Sequence, residues 1–283
     1  MSLRRILVDL SPTGHSHAHR EVALALAAAH GAKAVGYYRV PNPSLAVAYH
    51  GAVPVELFDT LVRRAFEGAA AAESAFVAAA GNAGVTPDWY RAEGGEDWPL
   101  EVYARYADLV VVRQSEPDAP IDRDAPGVLA IAAGRPVLVV PYIGGGESLG
   151  RRVLVAWDGS REAARAVHDA LPILRRSESV VVYCANPVPG DYLPGADIAA
   201  HLAEHGVAAE AHETASRLDP NETAVVGARS VPAGDLLLSA AADMAADLMV
   251  MGAYGHARLR ELVLGGVTRH VLEHMTLPVL LAH

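Results

Sequence analysis

The sequence predicts an α/β fold of two tandem five-stranded parallel-sheet domains, and three observations predict it. Short Val/Ile/Leu runs alternate with longer alanine-rich helical stretches, the pattern of βαβ units whose strands are buried on both faces. The pattern also occurs twice in the same order. Arg5-Ile6-Leu7-Val8 corresponds to Arg152-Val153-Leu154-Val155, Ala107-Asp108-Leu109-Val110 to Ala246-Asp247-Leu248-Met249, and Arg135-Pro136-Val137-Leu138 to Leu277-Pro278-Val279-Leu280. Finally, 283 residues suit two ordinary domains.

Taken in order, the apolar runs of the first half place strands near 4–9, 33–39, 84–92, 108–113 and 136–140, with helices over 15–29, 54–80, 97–106 and 126–133. The second half repeats this with strands near 151–157, 178–184, 207–213, 247–252 and 278–282, and helices near 160–173, 194–205, 232–245 and 266–275. Residues Ala215 to Ser230 have no counterpart in the first half and read as an insertion. Gly144-Gly145-Gly146-Glu147-Ser148-Leu149-Gly150 reads as a linker, which divides the chain into domains 1–143 and 151–283. Right-handed crossovers then bring the loops after the first and fourth strands of each half to the carboxyl edge of the sheet, where such folds bind ligands.

Composition narrows the function. A net charge of −10 without clustered Lys and Arg argues against nucleic acid as a partner. No apolar run approaches the roughly 20 residues needed to span a bilayer, and the start of the chain lacks the pattern of a secretory signal, so a cytoplasmic address with no membrane partner is expected. Cys184 is the only cysteine, which excludes an internal disulfide and any multi-cysteine metal site. Lys33 is the only lysine, so the C-terminal half has neither a Walker lysine nor a Schiff-base lysine.

The sharpest motif is in the last forty residues. An apolar strand runs into Gly252 and Gly255; nine residues later come Gly265, Gly266, Val267 and Thr268 at the start of a helix. Glycines permit positive φ and close approach, and a helix N-terminus offers unpaired N–H groups and a positive dipole end, so together they make a backbone cradle for phosphate. This Gly-x2-Gly-x9-Gly pattern, after Ala246-Asp247-Leu248-Met249-Val250-Met251 and before Pro278-Val279-Leu280-Leu281, resembles the universal stress protein family, and Asp158-Gly159-Ser160 after the half's first strand fits the same family.

The resemblance implies a Rossmann-like, adenine nucleotide alpha hydrolase-like fold and pairing through the last strands. It also implies ATP or ADP as ligand, with Mg2+ as an optional companion. Carried onto this chain, it implies phosphate contacts from Gly252, Gly255, Gly265, Gly266, Val267 and Thr268, ribose or metal-side contacts from Asp158, and adenine contacts around Cys184. One departure matters: the ATP-binding pattern usually has serine where this chain has Gly266. A hydrogen bond to a charged group contributes about 1.5–3 kcal/mol, equivalent to roughly one to two decades of affinity.

The first half departs further. Glu116, Asp118, Asp122 and Asp124 occupy the region where the second half offers glycines, and Ser11 stands where Asp158 sits. That half is expected not to bind nucleotide in this mode and to serve as a built-in pairing partner; another small molecule in a remodelled pocket, and further association into a homodimer, stay open.

Other constellations carry blander readings. Gly146-Glu147-Ser148-Leu149-Gly150 matches a nucleophile elbow by letter but lies in a connector ahead of a strand, so it is dismissed. His15, His17 and His19, and His201 with His205, lack acidic or cysteine ligands at metal-site spacing and read as solvated helix-face histidines. Cys184 reads by default as a buried small hydrophobe, and Asp158-Gly159-Ser160 also suits a helix cap. Arg260 is expected at the surface, Arg258 is left open, and Tyr254 is expected as a pocket wall. The leading function is a nucleotide-binding regulatory protein without fast catalysis, with a scaffold or a slow ATPase as the alternatives.

Overall fold

The computed structural model describes residues 2–12, 17–40, 55–93, 98–115, 125–144, 148–187, 195–214, 231–254 and 266–283. These form two compact units, Ser2–Arg113 and Gln114–His283. The contact boundary falls ahead of the last helix and strand of the first sequence repeat, which pack in the C-terminal unit. Ala215–Ser230, Gly255, Gly265, Arg258, Arg260, His15 and the acidic run from Glu116 to Asp124 lie outside the described residues.

The N-terminal unit runs β1 (Arg5–Asp9), α1 (Ala18–His30), β2 (Lys33–Arg39), α2 (Val55–Asn82), β3 (Pro87–Ala92), α3 (Leu100–Ala104) and β4 (Leu109–Arg113). Its strands lie in the order β3-β2-β1-β4, all parallel. Ile6, Leu7 and Val8 are buried from both faces, as a central parallel strand requires. The Asp108 carboxylate, just before β4, accepts the Arg4 and Arg5 amides at 2.8 and 3.0 Å and ties the entrances of the two strands together. Two expected elements are shorter than the sequence pattern. Gly84, at φ 67°, turns the chain after α2 so that β3 begins only at Pro87, and Pro99 sets the start of α3, which ends at Ala104.

The C-terminal unit runs α4 (Ala125–Ala132), β5 (Val137–Val140), β6 (Arg152–Ala156), α5 (Arg161–Leu174), β7 (Ser179–Ala185), α6 (Gly195–Glu204), β8 (Ala209–Thr214), α7 (Ala233–Asp243), β9 (Leu248–Gly252), α8 (Gly266–His274) and β10 (Val279–Ala282). The strand order is β5-β10-β9-β6-β7-β8. All neighbours are parallel except β5 and β10, the last strands of the two repeats, which pair antiparallel with Leu138 opposite Leu280. Asp247 repeats the role of Asp108, accepting the amides of Arg151 and Arg152 at 3.1 and 3.0 Å. The end of the expected linker is packed rather than loose: Ser148 donates to Asp247, and a Cβ on Gly150 would lie 2.5 Å from Ile173. From β6 the chain crosses to β7 on one side while β9 flanks β6 on the other, so the loops after β6 and β9 leave the sheet at a strand-order switch point. No helix among the described residues is long and apolar enough to cross a membrane.

Candidate functional site

At the end of β9 the chain meets the first turn of α5. A Cβ on Gly252 would lie 2.6 Å from the Ala163 nitrogen and 2.7 Å from the Glu162 carbonyl carbon, so glycine is required for this approach. The Ala253 amide then donates to the Ala282 carbonyl, and Tyr254 takes φ 60°, a conformation costly for a side chain of its size. The Tyr254 amide donates to Thr268 Oγ1 at 3.3 Å, which fastens the departure of the loop to the first turn of α8. Thr268 is correspondingly buried, while Gly266 and Val267 ahead of it are exposed. Among the described residues, a Cβ on Gly266 would meet nothing within 4 Å.

The second helix start at this edge belongs to α5. Asp158 Oδ1 accepts from the amide and hydroxyl of Ser160 at 3.0 and 2.6 Å, and Ser160 Oγ caps the helix by accepting the Ala163 amide at 3.1 Å. Gly159, at φ 71°, makes the turn between them. Asp158 itself is exposed.

Two placements differ from the sequence expectations. Tyr254 is not a pocket wall: its ring is buried and lies on the backbone of α4, where a Cβ on Gly127 would come 2.8 Å from the ring carbon bearing the hydroxyl. His19 is not a solvated helix-face residue: it is 6 % exposed and its Nε2 bonds the Asp9 carbonyl at 2.9 Å. Cys184 is fully buried within β7, in agreement with its reading as a small hydrophobe. His201 and His205 do lie edge to face, 4.7 Å between centroids, but no group of three or more potential metal ligands occurs among the described residues.

Two residues went unremarked in the sequence. Trp157, next to Asp158, donates its amide to the Tyr183 carbonyl at 3.0 Å, and its Nε1 is buried without a partner among the described residues. An aromatic side chain at the end of a first strand was the available signal. Glu162 is 3 % exposed beneath Gly252 and pairs with Arg161. Burial pushes its carboxyl up, but the Arg161 hydrogen bond and charge, with further contributions from its own backbone and His283, hold it below the usual glutamate value. The first turn of a capped helix favours such an acid, and only the tertiary contact with Gly252 marks this one out.

In the first repeat the Leu10 amide donates to the Tyr37 carbonyl as that of Trp157 does to Tyr183, so Ser11 occupies the register of Asp158. The aspartate has moved two residues back: Asp9 Oδ1 accepts from the amide and hydroxyl of Ser11 at 3.0 and 2.6 Å. Burial raises the Asp9 carboxyl above its ordinary value, against the hydrogen bonds from Ser11 and the charges of Arg39 and Arg113.

Residues 150–283 match the profile of the Universal stress protein family. A universal stress protein of Synechocystis is 53 % identical over 38 residues, a stretch spanning 13 % of this chain and 13 % of that protein. Among solved structures, a universal stress protein from Archaeoglobus fulgidus superposes with TM-score 0.66 at 14 % identity over 98 % of this chain and 97 % of its own. A protein described as a universal stress protein from Pseudomonas aeruginosa superposes with TM-score 0.57 at 17 % identity over 99 % and 93 %. At these identities the structural likenesses speak to fold.

Proposed function

We propose, from the match of residues 150–283 to the universal stress protein family, that the C-terminal unit binds ATP or ADP at the loop between β9 and α8. The observation that carries this reading is the exposure of Gly266 and Val267 at the start of α8, beside the Thr268 hydroxyl that accepts the Tyr254 amide. In this reading the amides at 266 and 267 face the phosphates, Gly255 and Gly265 shape the remainder of the loop, and Gly252 sets the close approach beneath it. Asp158 stands at the ribose or metal side, and the main chain beside Cys184 takes the adenine. Asp158 and Glu162 place negative charge at the same edge, which favours the nucleotide as its Mg2+ complex over the free anion.

The expected role is regulatory and cytoplasmic, with ligand occupancy altering the surface around the loop. Any hydrolysis is expected to be slow, because the sequence supplies no P-loop lysine for this site. Calorimetric titration with Mg-ATP tests the reading. Wild type is expected to bind, and Gly266→Glu, a change at an exposed position, is expected to fold normally and lose binding by charge repulsion. Absence of both heat and thermal shift with wild type at millimolar nucleotide would leave a paired scaffold as the better account.

A further inference from the structure

The end of the first repeat reaches the last helix of the second at two places, both within the C-terminal unit. One is Gln114, the residue after β4. Its amide donates to the Val140 carbonyl at 2.7 Å, which fixes it beside β5, and it is 3 % exposed. Its Nε2 donates to the Leu272 carbonyl of α8 at 2.7 Å, while its Oε1 accepts the Tyr142 amide at 3.2 Å. These partners fix which end of the side-chain amide is which, because a carbonyl only accepts and an N–H only donates. Leu272 lies in the last turn of α8, where a helix leaves its carbonyls without an internal partner. Gln114 supplies the missing donor from the other repeat.

The second place is Gly127 of α4, whose missing side chain admits the Tyr254 ring; a Cβ there would lie 2.8 Å from the ring carbon bearing the hydroxyl. The Tyr254 amide is in turn accepted by Thr268 in the first turn of α8. The first repeat therefore grips α8 directly near its C-terminus and, through Tyr254 and Thr268, at its N-terminus. A nine-residue helix is a short hydrogen-bonded rod, so a displacement at one end is carried to the other.

We propose that Gln114 is a positioning residue for the ligand site of the second repeat: it sets the placement of α8, and with it the amides at 266 and 267. The link to affinity rests on the nucleotide reading of that site; the link to the helix does not. Without the Gln114 donor the buried Leu272 carbonyl is left to find another partner, and α8 is the element free to shift. The first repeat then acts in binding as the bracket of its sister's helix, in addition to pairing with it through β5.

The test is amide hydrogen exchange on the full chain, with calorimetric titration of Mg-ATP beside it. Gln114→Met keeps the side-chain volume and removes both of its hydrogen bonds. Exchange of the Tyr254 amide is expected to quicken about threefold or more, and affinity for Mg-ATP to fall about three- to tenfold. A purely structural Gln114 would leave the Tyr254 amide unchanged and loosen only the residues it touches. Coupling is reciprocal, so Thr268→Val, which loosens the opposite end, is expected to quicken exchange of the Tyr142 amide that Gln114 accepts. That arm decides the matter if Gln114→Met fails to fold. An unchanged Tyr254 amide in folded Gln114→Met, an unchanged Tyr142 amide in Thr268→Val, or equal Mg-ATP affinity in Gln114→Met where wild type binds would overturn the proposal. Wild type that binds no nucleotide would overturn the nucleotide reading alone, and the exchange rates would still decide the role of Gln114.

Discussion

The hydroxyl oxygen of Thr268 accepts the main-chain amide of Tyr254 at 3.3 Å inside a buried corner of the C-terminal unit, so a side chain first read as a phosphate ligand also holds the two ends of the glycine loop together. Thr268→Val removes that hydrogen bond. The expected cost is about 0.5–1.5 kcal/mol in denaturant titration, with Thr268→Ser close to wild type. Equal stability of the Val and Ser variants would remove the clasp from the account.

Gly266 occupies helical, exposed backbone, and no described residue lies within 4 Å of where a side chain would begin. Gly266→Ser is therefore expected to be tolerated and to add the hydroxyl donor that the family pattern has there. Affinity for Mg-ATP should rise by about ten- to a hundredfold, measured by calorimetry. An unchanged constant would mean that the phosphates do not reach the start of α8.

Tyr254 and Gly127 meet so closely that a methyl group on the glycine would overlap the phenol. Gly127→Ala is expected to destabilise the unit by about 1–3 kcal/mol through overpacking. Combined with Tyr254→Ala, it should cost less than the sum of the single changes, because the clash is then gone. A strictly additive double-mutant cycle would place the two residues apart in solution.

Burial lowers the His19 pKa from 6.5 to about 4, against the hydrogen bond to the Asp9 carbonyl, with Arg113, His17 and Arg20 adding to the depression. The unfolded chain thus takes up a proton between those values while the folded chain does not. The stability that depends on neutral His19 is complete above pH 6.5 and declines as pH falls toward 4, by about 3 kcal/mol in all. Asp9, whose carboxyl is raised by burial, works in the opposite sense, so the measurement is the difference between wild type and His19→Gln across this range. Parallel stability curves for the two proteins would contradict the buried neutral imidazole.

The order of strands and helices was legible because parallel strands buried on both faces leave unbroken apolar runs, as in Leu109-Val110-Val111-Val112 and its counterpart Leu248–Met251. The glycine at 252 was legible for the same local reason, a strand running into a turn. The same continuity hid the facing of Cys184: every residue from Val180 to Cys184 is buried, so alternation could not say which way the thiol points. Tyr254 on Gly127 and His19 on Asp9 depend on tertiary placement rather than on a local period.

The antiparallel join of β5 and β10 has an evolutionary corollary. When two identical copies meet along such an edge, each substitution is written into both sides of the assembly at once, and a change harmful to one role is harmful twice. Covalent fusion ends that symmetry. One repeat is then at liberty to replace Asp158 by a serine at position 11 and lose its glycines while the other keeps them, and the contact between the fused edges survives dilution because the two strands never leave the same molecule.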